Sequence, residues 1–338
     1  MVYTTQATFS GVSLDAAGLV ALADLSSIAT RTAIVGSASA LDSLFLAPGI
    51  HRQQFTAEVI NNGEQPATAA LTTEYVFRIE NQATVSFLQR VGVTGHLVNL
   101  KVERDKTHRL FDRYCFKGGV WSSILYLLGP VLTVVSLAVL GALGDWWGLG
   151  SVSALVIARL INVVVMRRRS KLGWKGLEEP GEIGDLLVLV SQDRWIRMQG
   201  LVNDLKTVTA GSWLRNTTSM EGFAVALATL IVYATAALAG NATRIGSLIL
   251  LGLLLCSAAL LGLSNEVATH MHMHGCRISI VGEKKAYERR LDMALELIHE
   301  TGREDWAIGL GMINTRAGSA ARRGEKVGEK VEVRACVL

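Results

Sequence analysis

Two long apolar stretches, Val120–Gly144 and Gly222–Leu263, dominate the hydropathy pattern, and a third, Trp146–Met166, follows the first after the single polar residue Asp145. A helix needs about 20 apolar residues to cross the hydrocarbon core of a bilayer. In lipid, backbone polar groups are satisfied only in a helix or a closed barrel. The stretches lack the period-two alternation of strands, so they predict four membrane-spanning helices in two hairpins: Val120–Gly144 with Trp146–Met166, and Gly222–Gly240 with Ile245–Leu263. The turns, Asp145 and Asn241–Arg244, are so short that consecutive helices must run antiparallel. Trp146 and Trp147 suit the headgroup level, where an indole keeps its N–H wet. Pro130 inside the first span predicts a kink.

The polar segments show other periods. Phe55–Ile60 and Thr73–Ile79 alternate apolar and polar residues, and Leu97–Val102 does so in part, which predicts half-buried strands. Asn61-Asn62-Gly63 is a turn between two of them. Ser13–Ile28 reads as a short helix capped by Ser13. Asp105–Phe116 is basic and aromatic and leads into the first span along the membrane surface. Between the hairpins, Asp185–Val190 and Arg194–Gly200 read as strands, with a helix-like Leu201–Val208 after them and Arg277–Val281 as a strand that pairs with this group. Lys284–Thr301 places Tyr287, Leu291, Ala294, Leu295 and Ile298 on one helical stripe, with Gly302 to end it.

The fold class that follows is a mainly α membrane protein with a small cytosolic α+β portion. Its regions are an N-terminal cytosolic region 1–117, hairpins 118–166 and 222–263, a cytosolic insert 167–221 with short strands, a strand and amphipathic helix in 264–303, and a disordered basic tail 304–338.

Charge sets the orientation. Lys101, Arg104, Lys106, Arg109, Arg113 and Lys117 precede the first span, and Arg167, Arg168, Arg169, Lys171 and Lys175 follow the second. The first turn has no Lys or Arg and the second has only Arg244. Positive residues mark the cytosolic side, so the large segments and both termini are expected there. The net charge is +4, and basic residues cluster beside the spans, a juxtamembrane pattern that calls for a bilayer and not for nucleic acid. Arg167, Arg168 and Arg169 are the expected contacts to anionic lipid headgroups. The polar Met1–Ser10 is no signal peptide, and the first span would serve as the targeting signal. The four cysteines, Cys115, Cys256, Cys276 and Cys336, are scattered and imply no disulfide framework.

Three groups carry candidate chemistry. Past the fourth span come Glu266, His270, His272, His274 and Cys276. In a continuing helix Glu266, His270 and His274 share a face; in an extended chain His270, His272 and His274 do. Either set suits a transition metal or zinc, and Glu266, His270 and His274 are the catalytic candidates together with Arg159. The bland alternative is interfacial histidines bonded to water, phosphate or backbone. Arg159, inside the second span, either snorkels to the cytosolic headgroups or forms a buried polar site with Asn162. Asp193, Arg194, Arg197, Asp204, Lys206 and Arg215 read as salt-bridged pairs on a solvated face or as a phosphate site. Asn241-Ala242-Thr243 matches the glycosylation pattern, but Asn241 sits too close to two spans for ready modification. Phosphate-binding loops, Gly-x-Ser-x-Gly elbows, zinc-protease helices and aspartate-rich prenyl-diphosphate motifs are absent from the sequence, and no cofactor is implied.

The segment Ser191-Gln192-Asp193-Arg194-Trp195-Ile196-Arg197-Met198-Gln199-Gly200-Leu201-Val202-Asn203-Asp204-Leu205-Lys206 resembles a stretch of uncharacterised multi-pass integral membrane proteins of filamentous fungi. So do Gly211-Ser212-Trp213-Leu214-Arg215, the span pair that follows, Met273-His274-Gly275, and Lys285-Ala286-Tyr287-Glu288-Arg289-Arg290-Leu291-Asp292. The resemblance covers about residues 185–312 and implies a membrane location and a fungal origin, with no assigned activity. Two functions remain open. One is a non-catalytic anchor that recruits a protein partner on the cytosolic side. The other is a membrane enzyme acting on a lipophilic substrate, in fungal secondary metabolism by the resemblance.

Overall fold

The structure is a computed structural model that describes residues 17–105 and 119–313. Four helices, α4 (Val120–Leu143), α5 (Trp146–Arg169), α7 (Ser219–Leu238) and α8 (Arg244–Glu266), are long and apolar enough to cross a membrane. The chain is thus a multi-pass membrane protein, with spans within a few residues of those the hydropathy predicts. α4 and α5 form one hairpin and α7 and α8 the other. Across the hairpins, α4 lies along α8 and α5 along α7.

The turns are built from caps. Gly144 ends α4 in the left-handed region, at φ 71°. Asp145 then caps α5, its carboxylate accepting from the Gly148 N–H at 2.9 Å. The other oxygen of Asp145 accepts from the N–H and hydroxyl of Thr243, at 3.0 and 2.7 Å, and Thr243 is the N-cap of α8. One carboxylate therefore ties both turns together. Gly246 is required beside it, because a Cβ there would stand 1.8 Å from the Asp145 oxygen. Pro130 lies within α4, and the preceding Gly129 gives its missing side-chain volume to the Phe45 ring, 2.2 Å from where a Cβ would be.

Apart from a 3-10 turn at Ala239–Asn241 in the second hairpin, the other described elements lie at the opposite end of the bundle, here the sheet end, or thread into it. The strands β1 (Ala67–Ala70), β2 (Val76–Arg78), β3 (His96–Arg104), β4 (Ile183–Val190), β5 (Arg194–Leu201), β6 (His270–Met273), β7 (Cys276–Ile280) and β8 (Lys285–Ala286) form one sheet. Its order is β2-β1-β4-β5-β3-β7-β6, with β8 on β3. Among the described residues only β3 and β5 pair in parallel. Segments before, between and after the hairpins thus assemble into one mixed sheet, larger than short separate strands suggest.

The sheet has two unlike faces. Val98, Leu100, Val102, Ile196, Met198, Met271 and Ile278 share a core with helices α1 (Ser27–Val35), α3 (Gln82–Val91) and α6 (Val202–Thr209), and with Val163 and Met166 near the end of α5. On the other face Leu97, Leu187 and Trp195 pack under α9 (Arg290–Thr301) and α10 (Asp305–Gly309) through Met293, Leu297 and Trp306. Gly302 ends α9 in the left-handed region, where the sequence places it. The helix starts later than expected, because Lys285 and Ala286 pair with β3 instead.

Residues 17–58 depart from the sequence reading. Phe55–Ile60 is no strand: α2 (Gln53–Glu58) turns Gln53, Gln54 and Ala57 inward at helical spacing. In place of a helix over 13–28 there is a short 3-10 turn, Ala17–Leu22, in contact with both α7 and α8. Gly18 lies against Ala236 and Ala239, at the turn end of the bundle. At the sheet end the Ser27 carbonyl accepts from Asn265 at 2.8 Å. The residues between run almost the length of the bundle. The chain then dips in again, with Phe45 at Gly129, and returns along α5. The N-terminal region is thus partly an internal component of the bundle. Expectations for Ser13, for most of Asp105–Phe116 and for the tail beyond residue 313 lie outside the described residues. The tail's expected start at 304 is too early: α10 is ordered and buries Trp306 and Ala307 against the sheet.

Candidate functional site

Most buried polar residues of the bundle, its buried arginines among them, lie in its sheet-side half, where the N-terminal segment enters. Asp42 begins there as a local cap: its carboxylate accepts from the Ser39 N–H at 2.5 Å. The Tyr126 hydroxyl of α4 donates to its other oxygen at 2.6 Å. The Tyr126 ring stacks on Phe45, with centroids 5.3 Å apart, and the Arg31 guanidinium lies 4.5 Å over it. Arg31 also donates to Ser122 Oγ at 3.0 Å, and Ser264 of α8 donates to the Ser122 carbonyl at 2.7 Å.

Arg159 stands on the α5 side of this group. It is 2% exposed. Its Nε donates to the Asp42 carbonyl at 3.0 Å and its Nη1 to Gln53 Oε1. Snorkelling is therefore overturned: the Asp42 carbonyl and Gln53 side chain supply acceptors within the protein, and the guanidinium turns inward. Asn162 is buried one turn further on, donating to the Ala158 carbonyl at 3.1 Å and receiving Gln54 at its own carbonyl at 3.1 Å. Arg169 closes the string, bonded to Gln54, to Glu58 at 2.5 Å and to the Arg215 carbonyl. Buried in this way, Arg169 does not face headgroups; Arg167 and Arg168 are exposed.

Sequence reading singled out Arg159 and Asn162 but not Arg31, Asp42, Gln53 or Tyr126. The available signal was that Arg31 and Asp42 interrupt an otherwise Ala- and Leu-rich stretch. Such interruptions usually mark solvent exposure, and here they mark partners for an intramembrane arginine.

The histidines lie elsewhere, at the sheet. α8 ends at Glu266 and the chain becomes extended, so the helical grouping of Glu266, His270 and His274 does not form. His270 and His272 share a face of β6, with ring centroids 6.0 Å apart. His274 sits in the turn to β7 with φ 49°. His270 bonds Thr269 at 2.7 Å, and His272 lies 3.6 Å from Asp105. Among the described residues no group of three or more His, Cys, Asp or Glu is arranged to hold a metal ion. Burial, with help from Arg277, holds His270 below its ordinary pKa, and burial alone does so for His274. Burial and neighbouring Asp204 push the Cys276 thiol up to about 12, which leaves it protonated and inert.

The charged constellation of the insert resolves into pairs, apart from Arg194, which donates to the Ser191 and Gln89 carbonyls. Arg197 grips both oxygens of Asp185, at 2.6–3.0 Å, and bonds Glu300 of α9 at 2.8 Å. Burial opposes the charge on Arg197, but these carboxylates outweigh it and raise its pKa. Arg215 pairs with Glu221 at 2.6 Å, Lys206 with Glu179 at 2.6 Å, and Asp193 with Arg290. Arg104 stands 4.0 Å from Asp204. Beside the Arg197 group, past the end of α9, an open groove of about 1180 Å³ runs over Asn99, Lys101, Glu103 and Gln199.

At the turn end, Asn241 is exposed and donates to the Leu238 carbonyl, while Thr243 of the same pattern is engaged by Asp145. Known proteins add nothing to this description: no family model, curated protein or solved structure matches the chain.

Proposed function

We propose that this protein is a non-catalytic membrane anchor that holds its sheet at the cytosolic face of a bilayer for a protein partner. The observation that carries this reading is the shared core of sheet and bundle, through Val163 and Met166, which fixes the sheet to the spans as one body. The pairing of Arg197, Arg215 and Lys206 with carboxylates supports it too, since these groups hold elements together. The partner surface is the polar sheet face beside α9. Exposed Arg167 and Arg168, with Trp174 and Leu177 each 82% exposed just beyond α5, suit an anionic leaflet next to that end. The basic residues favour the cytosol for the sheet end. The resemblance of residues 185–312 to fungal multi-pass proteins belongs to the same proposal.

The test is gene deletion followed by metabolite profiling and by imaging of candidate partners. Loss of a partner's membrane location with unchanged metabolites supports the anchor. Accumulation of one precursor, reproduced by Glu266→Ala or Arg159→Ala alone, replaces it with an integral membrane enzyme. Protease accessibility in sealed cells tests the orientation: cleavage at the basic segments from outside would reverse it.

A further inference from the structure

In the sheet-side half of the bundle, positive charge and hydrogen-bond donors exceed what the described residues provide to meet them. Arg31 and Arg159 are 4% and 2% exposed, and both surround one carboxylate, Asp42. That carboxylate is engaged by Ser39 and Tyr126, and Arg159 reaches only its backbone carbonyl. The neighbouring arginines do not change the sum, since Arg169 pairs with Glu58 and Arg52 with Asp24. Among the described residues the cluster is left with one positive charge more than it has negative.

A second observation falls at the same place. Gln53 is 1% exposed; its Oε1 accepts from Arg159, and its Nε2 has no hydrogen-bond partner. Turning the amide over only sets its NH2 against the guanidinium, which has no acceptor. A missing negative charge and a missing acceptor therefore meet beside Arg159. A lone buried charge and an orphaned buried donor are both strongly unfavourable in apolar surroundings, and one bound anion satisfies both.

The place selects the kind of anion. Arg159 precedes Arg169, the last residue of α5, by ten residues, or about 15 Å along a helix. That is deep in the apolar part of the bundle. We infer that this cluster is a binding site for a long-chain carboxylate, with the carboxylate on Gln53 Nε2 and the Arg159 guanidinium and the alkyl chain among the spans. The inference goes beyond the anchor reading and does not rest on it.

The test uses the full chain, purified in a non-ionic detergent and stripped of lipid, with the thermal midpoint read against added oleate, oleyl alcohol or sodium chloride. A ligand of the folded state raises the midpoint with its concentration. Oleate is expected to raise it by several degrees and oleyl alcohol to leave it in place. Gln53→Glu supplies the missing carboxylate in the chain itself, so its midpoint without ligand should exceed the wild type's and oleate should add nothing. Arg159→Met removes the surplus charge by the other route and should fold yet lose the oleate response. Equal shifts with acid and alcohol, or an undiminished oleate response in Arg159→Met, would overturn the site. A chloride shift as large as that of oleate would overturn its assignment to an amphiphile.

Discussion

At the turn end of the bundle a single carboxylate, Asp145, serves both hairpins, and the other polar side chains buried there are small hydroxyls, Ser151, Thr235 and Ser247, of which Ser151 and Thr235 bond carbonyls of their own helices. At the sheet end a string of polar side chains runs inward from Glu58 and Arg169 through Gln54 and Asn162, and a second group gathers Gln53, Arg159, Asp42, Tyr126 and Arg31. The turn end follows the usual economy of membrane helices, in which small residues and caps satisfy the backbone and the rest is apolar. The sheet end keeps charges in the interior, where they are costly unless paired. It does so because the N-terminal segment threads in and brings partners that the four spans lack. Intramembrane polarity here is thus a property of an inserted segment and not of the spans alone.

The sharpest way to break the contrast is Asp42→Asn. It removes the carboxylate that the described residues place between two buried guanidiniums, and a broken buried charge group costs about 3–5 kcal/mol. Thermal or denaturant unfolding in detergent should show a loss of that size, and larger than for Arg159→Met. At the turn end, Gly246→Ala forces a Cβ against the Asp145 oxygen. Overpacking of this kind costs about 1–3 kcal/mol, read in the same assay, and a loss greater than that of Asp42→Asn would invert the comparison.

The sheet provides milder tests. With its pKa near 12, Cys276 should resist alkylation by iodoacetamide at pH 8 in the folded protein and react fully after denaturation. Labelling of the native thiol at the rate of a free one would remove its burial from the account. The smallest effect is expected at Glu300. Its carboxyl is held below the usual value by the hydrogen bond from Arg197, so it adds stability above about 4.5, its unfolded pKa. That contribution fades as pH falls through the lower folded value. Because Glu300 is half exposed, Glu300→Gln should cost only about 0.2–1 kcal/mol at pH 7 and nothing in strong acid, measured by unfolding across that range.

Hydropathy alone determined the four spans, their short turns and their antiparallel order, because a bilayer imposes a length and an uninterrupted apolar composition that can be read residue by residue. Local signals also located β5 by the alternation around Trp195, and the end of α9 by Gly302, since both depend on near neighbours. The strand reading of Phe55–Ile60 failed because its alternation fits a short helix equally well, and Gln54, bonded to Asn162 and Arg169 on α5, decided between them. The grouping of Glu266 with His270 and His274 failed because the pairing of β6 with β7 draws the chain out straight. Only the tertiary structure decided where Arg159 points and what meets it. Arg31, Asp42 and Gln53 are more than a hundred positions away from it in sequence, and no periodicity records a contact made by a segment folded back into the bundle.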